Sequence, residues 1–210
     1  MRLTLLLILL AGAAIQPAAA QSFQKHHITA GLGLALPGNE LKTVYNNAFS
    51  WSFGYGYRPI RYLQADIGLD TAYNAARVNE FLSNPQFGYV RIRDFEFMMP
   101  VGGRVVLPIA DGKYHLYSGG GAAYMRYTER LRQPSQFFNV QCPVCQARDG
   151  WGHYFLVGGD VALTSGGALR LGVTSRVYQG TTDGPSVGEI PAVRTRDRWV
   201  NTYFHLSLSF

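Results

Sequence analysis

The sequence predicts an all-β protein: an eight-stranded antiparallel up-and-down barrel that spans a membrane, preceded by a cleaved signal peptide. Residues 204–210 alternate apolar and polar side chains and end on an aromatic residue. Seven further segments show the same period of two, which is the period of a strand with one apolar face. The links between these segments are alternately long and short. Together the three observations predict a closed barrel wall.

The first twenty residues have the features of a secretory signal peptide. Arg2 supplies the positive start, residues 3–15 form an apolar stretch, and residues 18–20 offer an A-x-A cleavage site. The apolar stretch is shorter than the roughly 20 residues that a membrane-spanning helix needs. We therefore expect residues 1–20 to be removed and residues 21–210 to form a single barrel domain.

The first four predicted strands cover residues 25–36, 48–58, 62–74 and 89–107. Their apolar faces carry, in order, Ile28, Leu32 and Leu34; Phe49, Trp51 and Phe53; Leu63, Ile67 and Leu69; Phe95, Phe97 and Val101. Pro100 lies inside the fourth strand and removes one backbone donor, so we expect a bulge or a local weak point there.

The last four predicted strands cover residues 113–128, 151–164, 168–178 and 198–210. The apolar faces of the last three carry Phe155, Val157 and Val161; Leu169, Leu171 and Val173; Phe204, Leu206 and Leu208. In the fifth strand, a run of small residues at 118–123 hides which residues face inward. Eight strands of about ten residues make the smallest barrel that spans a membrane.

The connections give an independent test of this architecture. Long links are predicted at residues 37–46, 75–88, 129–150 and 179–197, and short ones at 59–61, 108–112 and 165–167. The second short link carries the turn dipeptide Asp111-Gly112. Strict alternation is typical of barrels with long loops on one rim and tight turns on the other. With both termini on the side of the tight turns, the long links face outward from the cell.

The composition agrees with a membrane-embedded wall. Charged residues make up 15% of the 210 residues, against about 25% in ordinary soluble domains. Aromatic residues make up 13%, with 13 Tyr and 12 Phe, as expected where rings line the lipid–water boundary. Loss of Arg2 with the leader changes the net charge from +6 to +5.

Residues 21–210 resemble the small eight-stranded outer-membrane barrels of the OmpA, OmpX and opacity-protein type. The resemblance lies in the strand pattern, the loop alternation and the C-terminal strand. It implies the outer membrane of a Gram-negative bacterium, a monomer without cofactor, and contact with lipid and lipopolysaccharide but not nucleic acid. The ending resembles the signal that the barrel-insertion machinery binds, carried here by Phe204, Leu206, Leu208 and Phe210.

The strand phase that turns leucine and phenylalanine outward turns seven charged residues inward. They are Asp66, Asp70, Glu96, Arg104, Asp160, Arg170 and Arg176. An isolated charge out of water is costly, so we expect these groups to pair in a packed lumen. A narrow polar channel for ions or small solutes is the alternative.

The predicted outer loops are basic, and their densest cluster is Arg194, Arg196 and Arg198. Guanidinium groups suit phosphate and carboxylate partners. We therefore expect a non-enzymatic role in membrane structure and cell-surface interaction, with contact to phosphorylated lipopolysaccharide. A specific surface ligand is the alternative at these loops.

Two further features suggest chemistry. Cys142 and Cys145, the only cysteines, lie in the third long link, where an oxidising compartment favours a disulfide worth only about 2 kcal/mol for so short a ring. A thioredoxin-like redox site, or a metal site that includes His153, is the alternative there. His205 and Ser207 resemble the His-x-Ser pair of lipid A deacylases, although Leu208 replaces the asparagine of that motif. We expect a hydrogen-bonded lumen pair here and no enzyme; a lipid A-modifying hydrolase is the least favoured alternative.

Overall fold

A computed structural model describes residues 24–43, 45–73, 75, 82–84, 88–132, 147–185 and 193–210. Its strands are β1 (His26–Asn39), β2 (Ala48–Ile60), β3 (Leu63–Tyr73), β4 (Leu82–Asn84), β5 (Gly88–Ile109), β6 (Tyr114–Arg132), β7 (Ala147–Ala162), β8 (Leu169–Gly184) and β9 (Val193–Ser209). A 3-10 helix, Glu40–Thr43, follows β1. Within these ranges, no helix is long and apolar enough to cross a bilayer.

The eight long strands close into an up-and-down antiparallel barrel. Each pairs with its neighbours along the chain, β1 pairs with β9, and β3 pairs with β5 to complete the circle. The short strand β4 pairs with the outer end of β5. Closure leaves no long strand with an unpaired edge, which a barrel in lipid requires. The predicted eight-stranded up-and-down barrel is confirmed.

Each predicted strand is present, and several continue further than the sequence pattern indicates. The β5–β6 ladder reaches the pair Arg91 and Arg132, and the β8–β9 ladder reaches the pair Gly184 and Val193. The sequence predicts loops for these extensions because their alternation of apolar and polar residues is weak. Beyond the lipid neither face of a strand must be apolar, so the backbone ladder continues without the period-two signal.

Strands β6 and β5, for which the sequence leaves the phase open or predicts a bulge, keep a constant register. The β6 register runs without a shift from Tyr114 to Thr128, so the phase is constant across the glycine run and puts Tyr117 and Met125 inside. Pro100 faces inward, and the register of β3 with β5 is the same on both sides of it, so no bulge forms there. The described pairs of this ladder nevertheless skip Met99 and Pro100, which leaves a local interruption.

The outer surface carries an apolar band bounded by aromatic rings. Tyr57, Tyr114 and Phe210 lie near the short turns, and Trp51 and Trp151 near the opposite rim. Between these rings, the band consists of exposed leucine, valine and phenylalanine side chains around the barrel. Ten residues of tilted strand, at about 3.3 Å each, give a height of about 25 Å, which matches the lipid-facing band of outer-membrane barrels.

Candidate functional site: the lumen and the outer arginine stripe

The lumen is filled by side chains that we describe as three layers. The lower layer, near the short turns, contains the ion pair of Arg104 with Asp66, whose Nε and Oδ2 atoms are 2.6 Å apart. It also contains Arg170 paired with Asp160, and His115 Nδ1 lies 3.4 Å from an oxygen of the same aspartate. The two ion pairs join inward positions of neighbouring strands, as the strand phase predicts, whereas the sequence leaves the phase of the strand that carries His115 undetermined.

Two residues extend this layer toward the short-turn end of the barrel. Arg58 donates from Nε to Gln64 Oε1 at 2.8 Å, and Gln64 donates from Nε2 to Asp66 Oδ1 at 2.6 Å. Arg58 is therefore joined to the ion pair of Asp66 through a neutral amide. Its side chain is buried, and among the described residues it forms no ion pair.

The middle layer is centred on Asp70, which is fully buried. Arg176 donates to Asp70 Oδ1 at 2.5 Å, Ser52 donates to the same oxygen at 2.7 Å, and Tyr178 donates to Oδ2 at 2.5 Å. Three donors on one carboxylate compensate for its removal from water. This layer links β3 to β8, which lie on different sides of the barrel.

The upper layer closes the outer mouth of the barrel. The Trp199 indole donates to the hydroxyl of Tyr127 at 2.9 Å, and the Arg148 guanidinium lies 4.3 Å from the centre of the Tyr127 ring. Arg148 also donates to the hydroxyl of Tyr45 at 3.2 Å. Tyr45 and Leu41, from the link after β1, are both buried here. The link thus folds inward over the lumen.

Six of the seven charged residues predicted for the lumen lie in three ion pairs: Asp66 with Arg104, Asp70 with Arg176, and Asp160 with Arg170. Glu96 also faces inward and is buried, but it belongs to none of the ion pairs among the described residues. The strand phase correctly indicates the side of the wall for each of them, and the partners come from the tertiary arrangement.

Several residues of the lumen are not among those predicted from the sequence, and Arg58, Tyr178 and Arg148 are three of them. Arg58 and Tyr178 share the inward phase of Ser52 and Arg176 on their strands, so the same period of two could have found them. Arg148 lies in a predicted long link, which assigns it to the basic outer loops. That assignment is wrong, because β7 begins at Ala147 and turns Arg148 into the upper layer.

On the outer wall, Arg194, Arg196 and Arg198 form an arginine stripe along β9. They alternate with inward residues such as Asp197 and continue the line of the lipid-facing residue Phe204. Alternate residues of a strand are about 6.6–6.8 Å apart, so the three guanidinium groups span a short row just beyond the apolar band.

The surroundings of the arginine stripe leave most of its charge available. Arg194 lies 3.4 Å from Asp183 across the β8–β9 ladder, with both side chains exposed. The stem of Arg198 rests against Gly38 of β1, where a Cβ atom would lie 3.0 Å from its Cδ. Among the described residues, neither Arg196 nor Arg198 forms an ion pair.

His205 and Ser207 both face the lumen near the short-turn rim. The His205 ring nitrogens lie 3.4 Å from the Tyr117 and Thr174 hydroxyls, and Ser207 shares a 2.7 Å hydrogen bond with Thr29. Within the described structure the pair share no hydrogen bond with each other, and no carboxylate bonds His205. This arrangement favours two separate structural hydrogen bonds over a nucleophile and its base.

Of the predicted disulfide, the signal peptide and the candidate ligand His153, the structure describes only His153. Cys142 and Cys145 lie outside the described residues, as do residues 1–20, so the disulfide and the signal peptide stay predictions. His153 is exposed on the outer wall, where it packs against Phe155. In the part of the chain that is described, no three His, Cys, Asp or Glu side chains are grouped as metal ligands would be.

The four residues of the predicted insertion signal, Phe204, Leu206, Leu208 and Phe210, all face outward and are exposed. Phe210 also joins the two ends of the chain. Its backbone exchanges two 2.9 Å hydrogen bonds with His26, and the two rings stack with centres 5.5 Å apart. The signal residues therefore form one apolar edge beside the seam between β1 and β9.

Comparison with known proteins identifies the fold. No model of a known protein family and no curated protein matches the chain. Among solved structures, Neisserial surface protein A, NspA, matches with a TM-score of 0.58 and 13% identity over 88% of this chain and 97% of its own. OprG from Pseudomonas aeruginosa matches with a TM-score of 0.56 and 11% identity over 91% and 99%.

The N-terminal barrel domain of Pseudomonas aeruginosa OprF is a third match, with a TM-score of 0.52 and 8% identity over 89% of this chain and 98% of its own. At these identities the similarity is one of fold. The chain has the fold of the small eight-stranded β-barrels of bacterial outer membranes, as the resemblance in sequence pattern implies.

Proposed function

We propose that this barrel lies in the outer membrane as a monomer and acts there without catalysis, in membrane structure and surface interaction, through contact with phosphorylated lipid. The arginine stripe carries this proposal. Its residues, Arg194, Arg196 and Arg198, lie on the outer wall directly beyond the apolar band. That position corresponds to the headgroup region of the outer leaflet, where lipopolysaccharide carries its phosphates.

The chemistry of the arginine stripe fits this partner. A guanidinium group is planar, permanently charged and able to donate two parallel hydrogen bonds to a phosphate. A basic side chain near an anionic membrane surface contributes about 1 kcal/mol to binding. Arg196 and Arg198 form no side-chain ion pair within the described residues, although the Glu40 carboxylate lies 3.5 Å from the backbone nitrogen of Arg196. The NspA match, named a surface protein, supports a role at the same place.

Changing the arginine stripe to Arg194→Gln, Arg196→Gln and Arg198→Gln should weaken binding of lipopolysaccharide roughly 10- to 100-fold at low salt, because three phosphate contacts are lost. The measurement is a titration of the refolded protein in zwitterionic micelles with fluorescent lipopolysaccharide, repeated with dephosphorylated material. The unaltered protein should bind the dephosphorylated form about as weakly as the triple variant does.

The matched control removes three cations from the opposite rim through Lys25→Gln, Arg61→Gln and Lys113→Gln. It changes the net charge by the same amount at residues near the short turns, away from the arginine stripe. This variant should bind like the unaltered protein. Equal weakening by both triple variants would show a general charge effect and contradict the proposal.

The competing function is a narrow channel, and the packing of the lumen argues against it. Three layers of hydrogen-bonded side chains cross the interior, and Tyr45 and Leu41 cover the outer mouth. The refolded protein in a planar bilayer should therefore show no steady discrete conductance, whereas a porin measured in the same bilayer does. Folding is verified first by the heat-shifted gel band, and regular conductance steps from the folded protein would make the channel the better function.

A further inference from the structure

A small cavity interrupts the packing of the lumen between the lower and middle layers. The residues that line it include Thr29, Gly56, Asp66, Arg104, Tyr154 and Arg176. It has room for about one water-sized species. The cavity is therefore too small for a sugar, a nucleotide or a phosphate group, and it suits a single water molecule or a monatomic ion.

Two buried donors at this cavity have no acceptor. The hydroxyl of Tyr154 and the Nε of Arg176 are both inaccessible to solvent, and neither has a hydrogen-bond partner among the described residues. Arg176 uses its NH1 for Asp70 and Ser52, so its Nε–H is the group left over. A buried N–H of a charged group cannot accept a hydrogen bond, and leaving it unmade is costly. The cavity thus calls for an occupant that accepts hydrogen bonds.

The charge around the cavity indicates which acceptor is favoured. The lower and middle layers contain four arginines, Arg58, Arg104, Arg170 and Arg176, against three aspartates, Asp66, Asp70 and Asp160. Protonation of the nearby His115 would increase this excess of positive charge. An uncompensated charge in a space of low dielectric is unfavourable, and a bound anion would offset it.

The excess charge is connected to the cavity by hydrogen bonds. Of the four arginines in the lower and middle layers, Arg58 is the one without a carboxylate partner among the described residues, and its Nε bonds Gln64, which in turn bonds Asp66 at the cavity wall. Asp66 therefore accepts from Arg104 at Oδ2 and from the Gln64 amide at Oδ1, and the same amide accepts from Arg58. An anion beside Arg104 and Arg176 would complete the neutralisation.

We propose that this cavity is a binding site for one small monovalent anion of the halide class. Arg176 Nε–H and Tyr154 O–H are its hydrogen-bond donors, and the guanidinium group of Arg104 lies at its wall. Chloride is the halide that bacterial surroundings supply. The bound ion offsets the excess positive charge of the lower and middle layers, and the site is a structural one that does not depend on the function of the outer surface.

The test combines diffraction with stability. Crystals grown in bromide should show an anomalous peak within hydrogen-bond distance of Tyr154 Oη and Arg176 Nε. The refolded protein should also resist urea better in sodium chloride than in sodium gluconate of equal ionic strength, since gluconate does not fit the cavity. Tyr154→Phe removes one donor and should raise the half-saturating halide concentration about tenfold.

Two variants separate halide binding from other effects. Tyr124→Phe makes the same chemical change at an outward-facing tyrosine that bonds Asp149, and it should leave the halide dependence unchanged. Arg58→Gln removes the excess charge without touching either donor, and it should weaken halide binding as well. A cavity peak without anomalous signal, or equal stability in chloride and gluconate, would mean that water alone fills the site and would overturn the proposal.

Discussion

Replacing Asp70 with alanine should lower the free energy of unfolding by about 3–5 kcal/mol, because it leaves Arg176 charged and buried without its partner. Asp70 is fully buried and accepts hydrogen bonds from Arg176, Ser52 and Tyr178. Its loss therefore leaves three donors unsatisfied as well as one charge. The measurement is equilibrium urea unfolding of the refolded protein in lipid vesicles, followed by tryptophan fluorescence.

Two comparisons separate this effect from others. Asp183→Ala breaks the exposed pair with Arg194, and it should cost less than about 1 kcal/mol because solvent screens that pair. The double change Asp70→Leu and Arg176→Leu removes both charges together and should recover much of the lost stability. If Asp70→Ala were as mild as Asp183→Ala, the middle layer would contain enough water to solvate Arg176 alone.

The second large effect is expected at Gly33, where β1 meets β9. A Cβ atom at this position would collide with the carbonyl oxygen of Thr202 and would lie 2.7 Å from its carbonyl carbon and 2.8 Å from Tyr203 Cα. These are backbone atoms of the neighbouring strand, so no side chain can move aside. Gly33→Ala should therefore destabilise the barrel at or above the upper end of the about 1–3 kcal/mol usual for overpacking.

The readout is the fraction of protein that shows the heat-shifted band after refolding, together with the urea midpoint of that folded fraction. Gly166→Ala is the matched control, because a Cβ at Gly166 in the turn between β7 and β8 has no atom within 4 Å. This control should stay within about 0.5 kcal/mol of the unaltered protein. Equal behaviour of the two variants would show that the β1–β9 seam relaxes freely.

Much of the fold could be predicted because its main signal is local. Successive side chains of a strand point to opposite faces, so Leu32 and Leu34 on β1 indicate both the strand and its lipid-facing side. The same rule, applied to the sequence alone, turns Asp70 and Arg176 inward. Where the lipid ends, the rule loses its force, and the outer ends of β5, β6 and β8 therefore have the sequence pattern of loops.

The candidate site was only partly predictable, as Arg148 and Arg198 illustrate. Both are basic residues near the outer rim, but the eighth predicted strand begins at Arg198, whereas Arg148 lies in a predicted link and is assigned to the outer loops with it. In the barrel Arg148 turns inward onto Tyr127, whereas Arg198 lies outside against Gly38 and belongs to the arginine stripe. The difference depends on where each strand begins, and that boundary has no period-two signal in this part of the chain.

Local sequence pattern was enough for the fold class, the order and approximate position of the eight long strands, and the inward face of the seven charged residues predicted for the lumen. These follow from the pleat of a strand, which repeats every two residues and needs no knowledge of the partner strand. The pairing of the charges, the way the link after β1 covers the mouth, and the position of the cavity beside Tyr154 depend on the folded barrel. Asp70 and Arg176 are 106 residues apart and meet only because closure of the barrel sets the stagger of β3 against β8. That stagger is a property of the closed ring of strands, so no local segment encodes it.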